Sequence, residues 1–168
     1  MNYCGIYKSS SCDGLGWRTV LFVSGCNHNC KNCQNPKTWD KNYGKEFTDE
    51  TLNILIEQLQ KPYIDGLTLS GGDPLFPDNR EEVLRICKTI KTILPEKTIW
   101  LYTGYEYEEI KDLEIMKYVD IIVDGPFIEE QKDLSIAFRG SRNQRIIDIK
   151  TGDILDFDKK EENNESKV

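Results

Sequence analysis

The 168-residue chain carries 29 acidic against 22 basic residues, a formal charge of −7. That sign repels a phosphate backbone and argues against extended nucleic-acid contact, and no apolar run approaches the ~20 residues that span a bilayer. The length suits a single domain, expected over residues 1–157; six cysteines without a visible secretory leader at Met1–Gly5 point to the reducing cytoplasm rather than to a disulfide scaffold.

An N-terminal segment holding Cys4 and Cys12 precedes a first buried strand over Arg18–Ser24. Directly after it comes Gly25-Cys26-Asn27-His28-Asn29-Cys30-Lys31-Asn32-Cys33, three cysteines in one short loop. Thr48 then caps a helix whose Leu52, Leu55, Ile56 and Leu59 share one face. A second strand, Asp65–Leu69, ends in Ser70-Gly71-Gly72-Asp73-Pro74. Asp78 is expected to cap the next helix, where Val83, Cys87, Ile90 and Leu94 repeat at helical spacing before Pro95 stops it.

Strands over Thr98–Tyr102 and Val119–Val123 follow, each shortly before a glycine, and Glu106–Lys117 reads as a third crossover helix. Ile146–Ile149, the turn Lys150–Asp153 and Ile154-Leu155 suggest a late strand or hairpin. Residues 158–168 are charged and polar, the composition of a disordered tail. Strand-helix-strand alternation predicts an α/β fold with a mostly parallel sheet. The chain is too short for the ~250 residues of a full eight-stranded barrel, so a partial (β/α) barrel is expected.

A strand that ends in three thiols places a metal centre at the carboxyl end of a sheet, where open α/β folds bind their ligands. Three protein ligands leave one position vacant, whereas structural zinc and ordinary electron-transfer clusters are closed by four. The paired glycines Gly71 and Gly72 let backbone approach a ligand closely and leave amide groups unencumbered, although the same residues serve an ordinary strand-to-helix turn. Cys87 reads as a small core hydrophobe, and His28, the only histidine, as a loop residue rather than a ligand. Trp17, Trp39 and Trp100 read as packing residues.

The Cys26-x3-Cys30-x2-Cys33 spacing resembles the signature of radical S-adenosylmethionine enzymes, and Ser70–Pro74 resembles their loop for the methionine amino group. More narrowly, Leu21–Cys26, Gly66–Leu75, Asp78–Arg80, Trp100–Tyr105, Val123–Gly125 and Arg139–Arg145 resemble the glycyl-radical activases that serve anaerobic ribonucleoside-triphosphate reductase. The likeness implies a partial barrel of the radical S-adenosylmethionine type. It implies that Cys26, Cys30 and Cys33 ligate three irons of a [4Fe–4S] cluster, the fourth iron taking S-adenosylmethionine. An electron donor such as flavodoxin would reduce the cluster, and the resulting deoxyadenosyl radical would take hydrogen from a glycine Cα of the reductase.

By the same resemblance Gly71 and Gly72 face the methionine moiety through their backbone, and Asn32, Cys33 and Gln34 contact the adenine side. Asn32 and Gln34 stand where relatives often carry aromatic rings. Thr103 and Asp124 end strands on the active rim, where they reach the ribose or sulfonium or else simply cap strand ends. The chemistry belongs to cluster and cofactor, so no catalytic side chain is expected. The Arg139–Arg145 segment is read as structural and partner-facing.

Three other readings compete. A different glycyl-radical activase is the serious alternative within radical enzymes, and the short chain favours the reductase partner because larger activases usually have a longer barrel. A non-enzymatic zinc-binding module would use the triplet as a knot, but no second cysteine pair of suitable spacing exists, and Cys4 or Cys12 would have to supply a fourth thiolate. A zinc deaminase needs His-x-Glu before Pro-Cys-x-x-Cys, and His28 is followed by Asn29 and Cys30.

Overall fold

The computed structural model describes residues 1–158, so that beyond Asp158 the expected tail lies outside the described residues. Eight strands form one sheet: β1 (Asn2–Ser10), β2 (Arg18–Val23), β3 (Lys45–Glu46), β4 (Gly66–Gly71), β5 (Thr98–Tyr102), β6 (Ile121–Asp124), β7 (Arg145–Asp148) and β8 (Ile154–Leu155). Their order is β3-β1-β2-β4-β5-β6-β7-β8, an open sheet. The central pairs β2–β4, β4–β5 and β5–β6 are parallel. Both flanks are antiparallel: β3–β1–β2 on one side and β6–β7–β8 on the other.

The expectation of a mostly parallel sheet is therefore corrected to a mixed one. The three parallel pairs are joined by crossovers that contain helices, the short turns at residues 11–17 and 149–153 make hairpins of β1–β2 and β7–β8, and β1–β3 and β6–β7 are antiparallel across longer connections. Strand β1 escapes sequence reading because its Asn2–Ser10 run is half-buried to exposed, without alternation.

Register explains the layering. Leu21 pairs with Leu69, Leu69 with Leu101, Leu101 with Ile122, and Ile122 with Ile147, giving one apolar row across five strands. Side chains alternate between faces along a strand, so this row commits one face to burial. It packs against Leu52, Leu55 and Leu59 of α1 (Asp49–Leu59) and Val83, Ile86, Cys87 and Ile90 of α2 (Arg80–Ile93). Cys87 is fully buried there, and burial pushes its thiol up to about 12, as suits a core position.

Thr48 caps α1, its hydroxyl accepting the Thr51 amide at 3.4 Å. Asp78 does not cap α2. The N-cap is Asn79, whose amide donates elsewhere, and Asp78 instead pairs with Lys41 at 2.8 Å on the surface. The third helix is shorter than expected: α3 covers Tyr107–Ile110, and a separate 3₁₀ turn covers Glu114–Lys117. Ile110, Ile115 and Met116 are all buried, and a spacing of five and six residues would spread them around a continuous helix, so the break lets all three face the core.

The opposite face of the sheet is divided. Trp100, Val123 and Ile146 are covered by Phe138, Leu155 and Phe157, whereas Phe22, Ser70 and Tyr102 line an open cavity. Arg18 lies fully buried on this side, donating to the Leu67 and Thr98 carbonyls at 2.8 and 2.9 Å and to the Thr68 hydroxyl at 3.0 Å. Among the described residues no helix is long and apolar enough to cross a membrane.

Candidate metal centre

The cysteine loop and the glycine loop leave adjacent parallel strands in the same direction, since Val23 of β2 pairs with Gly71 of β4. Backbone bonds then stitch their bases together. The Gly72 amide donates to the Val23 carbonyl at 2.8 Å, and the Asp73 amide to the Gly25 carbonyl at 2.8 Å. Gly25 and Cys26 donate in turn to the Thr38 and Trp39 carbonyls at 2.7 and 3.3 Å. Asn79, buried and absent from the sequence expectations as a site residue, donates to the Ser24 and Asp73 carbonyls at 2.8 and 3.2 Å, closing the seam.

The two glycines answer to these contacts. Gly71 has φ +105°, a region that side chains rarely occupy, and a Cβ there would lie 2.4 Å from Val23 backbone atoms. Gly72 is needed for space, because its Cβ would meet the Gly25 carbonyl oxygen at 2.6 Å. The amide groups expected to be unencumbered are thus partly spent: Gly72 donates to the chain itself.

Cys26, Cys30 and Cys33 line one cavity of about 350 Å³ with Gln34, Ser70, Gly71, Gly72 and Thr103. The volume falls in the range of small-molecule sites. Asn32 is exposed with φ +55° and does not line it, a left-handed turn position that asparagine tolerates. The Asp124 carboxylate is also directed elsewhere. It is buried, accepts the Tyr107 amide at 2.7 Å, and pairs with Arg145 at 2.5 Å. Thr103 lines the cavity, but its hydroxyl donates to Asp73 at 3.0 Å.

Two of the three late arginines are committed internally, while Arg142 is exposed. Arg145 bridges Asp124 and Glu108, and Arg139 binds Asp158 and the Gln144 carbonyl. Gln144 organises its loop by accepting the Gly140 amide at 2.8 Å and donating to the Gly125 carbonyl at 3.1 Å. Gly140 and Gln144 themselves reach the wall of the cysteine cavity, together with Trp39.

The donor set, three thiols of one loop on one cavity wall, fits an iron–sulfur cluster with an open position. A four-iron cluster asks each thiolate to reach a different iron, so thiols spread around a cavity wall suit it. Burial pushes the Cys26 thiol up to about 11, a backbone hydrogen bond from His28 opposing the rise and Asp73 and the other two cysteines adding to it. Cys4 rests against the Ser24 hydroxyl at 3.2 Å and Cys12 is exposed; neither lines the cavity.

Comparison with known proteins agrees with this chemistry. The family model described as a 4Fe-4S single cluster domain matches residues 12–147. The anaerobic ribonucleoside-triphosphate reductase-activating protein of Enterobacteria phage T4 is 49% identical over 146 residues, 87% of this chain and 93% of that protein. Those of Vibrio cholerae and Escherichia coli K12 are 44% and 39% identical over 150 residues, each alignment covering 87% of this chain and 97% of the relative.

Proposed function

The chain belongs to the 4Fe-4S single cluster domain family and to the anaerobic ribonucleoside-triphosphate reductase-activating proteins, and on that premise we propose that it activates such a reductase by reductive cleavage of S-adenosylmethionine, leaving a glycyl radical on the partner. The observation that carries this reading is the shared cavity: three cysteines of one loop and the Gly71–Gly72 turn of the next strand line the same space. Cys26, Cys30 and Cys33 would hold the [4Fe–4S] cluster, and Gly71 and Gly72 would face the methionine moiety through their backbone. When bound, the cluster supplies the electron that breaks the sulfonium bond.

The remaining work of the chain is orientation and exclusion of water. Phe22, Trp39, Tyr102 and Phe127 give the cavity an apolar wall that keeps solvent from a reactive carbon. Gln34, also on that wall, and Thr103 at its strand end are the proposed contacts to the nucleoside, with Asn32 acting through the turn that places Cys33 and Asp124, its carboxylate held by Tyr107 and Arg145, fixing its strand end from outside the cavity. A one-electron donor such as flavodoxin would serve the cluster, in a reducing cytoplasm, from a single domain over residues 1–157.

Anaerobic reconstitution should give one four-iron cluster per chain and, after reduction, 5′-deoxyadenosine from S-adenosylmethionine; replacing Cys26, Cys30 or Cys33 with Ala should abolish both. Mixed with the reductase, the wild type should give a carbon-centred doublet in spin resonance that disappears when the acceptor glycine is changed to alanine. Stoichiometric zinc without cleavage would refute the enzyme reading. Deoxyadenosine formed with consumption of a small molecule and no radical on the reductase would refute the activase reading.

A further inference from the structure

We propose that His28 is a positioning residue that pins the cysteine loop to the carboxyl ends of β4 and β5, so that the metal-binding loop and the Ser70–Pro74 loop move as one body. The inference rests on the cluster reading above and assigns His28 a role that the cysteine spacing does not require. Within residues 27–34 the backbone and side-chain hydrogen bonds are sparse: the Cys33 amide donates to the Cys30 carbonyl at 3.2 Å and the Asn29 amide group to the Asn27 carbonyl at 3.5 Å. Among the described residues, the only side-chain hydrogen bond that ties this stretch to a residue outside the cysteine loop is that of His28 Nε2 to Asp73 Oδ2, at 2.5 Å.

Its receiving slot is fully built. Asp73 is completely buried; its Oδ1 accepts the Leu75 amide at 2.8 Å, and its Oδ2 accepts the Thr103 hydroxyl at 3.0 Å and the Gly104 amide at 2.9 Å. The Thr103 hydroxyl itself accepts the Tyr105 amide at 3.2 Å, which directs its proton to Asp73. The imidazole stands edge to face against Tyr105, with ring centroids 4.6 Å apart, and a Cβ on Gly104 would lie 2.5 Å from the ring. Hydrogen bonds, an aromatic wall and a glycine floor therefore converge on one side chain of an otherwise loosely bonded loop. A loop ordered in advance loses less conformational entropy when its thiolates take up metal.

The test compares wild type, His28→Ala and His28→Gln, since a glutamine amide can still donate to Asp73. Lys31 lies inside the loop, so tryptic cleavage there reports loop order in the metal-free protein, with Lys150 in the β7–β8 turn as an internal control. In H28A, cleavage at Lys31 should rise about tenfold with Lys150 unchanged, and reconstituted protein should lose iron to a chelator about tenfold faster, at the lower end of the effect of residues that support metal ligands. H28Q should restore both toward wild type, and the spin-resonance spectrum of the reduced cluster should broaden in H28A only. Equal Lys31 cleavage in wild type and H28A, or equal acceleration at Lys31 and Lys150 without rescue by glutamine, would overturn the proposal. If the wild type binds no iron the cluster reading fails by itself, and the Lys31 ratio still decides the role of His28.

Discussion

Replacing Gly72 with alanine drives a wedge beneath Cys26, the first cysteine of the loop. Its φ is not in the left-handed region, so alanine can adopt the backbone, and the penalty is one of space. The added Cβ would stand 2.6 Å from the Gly25 carbonyl oxygen and 2.8 Å from that of Thr38, where ordinary contact begins near 3.4 Å. Both oxygens are backbone and both are engaged: Gly25 accepts from Asp73, and Thr38 accepts from Gly25. Relief therefore means moving a strand end and weakening at least one of those bonds. Overpacking of this kind costs about 1–3 kcal/mol, and a lost hydrogen bond adds about 1 kcal/mol. For a domain of this size a loss of about 2–4 kcal/mol corresponds to a fall in Tm of roughly 5–15 °C. Gly5→Ala is the control, since a Cβ there meets nothing within 4 Å. Urea unfolding of the two metal-free variants, followed by circular dichroism, measures the difference. G72A within 0.5 kcal/mol of wild type, on the order of an ordinary surface change, would refute the steric account, and iron loading unchanged in G72A would refute the link from Gly72 through Gly25 to Cys26.

Two further perturbations probe the frame around the site. Arg18→Met removes the donors that satisfy the Leu67 and Thr98 carbonyls, and leaving such buried acceptors unpaired should cost about 2–4 kcal/mol in denaturant unfolding; no loss would show that water replaces the guanidinium. The Arg145 guanidinium holds the Glu108 carboxyl down at about 2, below its ordinary 4.5, so its contribution is present above pH 4.5 and is lost as pH falls toward 2. Glu108→Gln should accordingly be slightly less stable than wild type at neutral pH, with the gap closing over that window and shrinking in high salt, as read from unfolding midpoints across pH.

What could be read in the sequence was whatever depended on local pattern. The cysteine loop follows β2 and the glycine turn ends β4 because buried apolar runs announce both strands, and the Thr48 cap is visible in the residues themselves. The flanks were legible on one side only: the β7–β8 hairpin stands where Ile146–Ile149, the turn Lys150–Asp153 and Ile154-Leu155 suggested it, whereas strand β1 was hidden because it is stabilised by pairing with β2 rather than by an alternating pattern of its own. Side-chain partnerships were hidden for another reason. Nothing in the order of residues tells that Asp124 and Arg145, or His28 and Asp73, meet across 21 and 45 positions, or that Asn79 rather than Asp78 serves the site.

The division of the inner sheet face explains why a chain this small can keep an open site at all. Trp100, Phe138 and Phe157 form an aromatic cluster with centroids 5.4 to 6.2 Å apart, which closes the half of the face lying over β5 to β8. The other half is left to Phe22, Ser70 and Tyr102, so one wall of the cavity is built on strands whose opposite side is locked into the main core. Such a wall is rigid because the β2–β4–β5 register cannot slip by one residue without turning the Leu21, Leu69 and Leu101 row to the wrong face. The thiols, by contrast, come from a loop with few bonds of its own. On the proposed function, ligand orientation follows from the sheet and metal retention from loop order, so mutations at Tyr102 or Phe22 should change the first without the second. A Tyr102→Phe variant that kept S-adenosylmethionine affinity but lost iron would contradict that division; the expected result is full iron content with altered affinity.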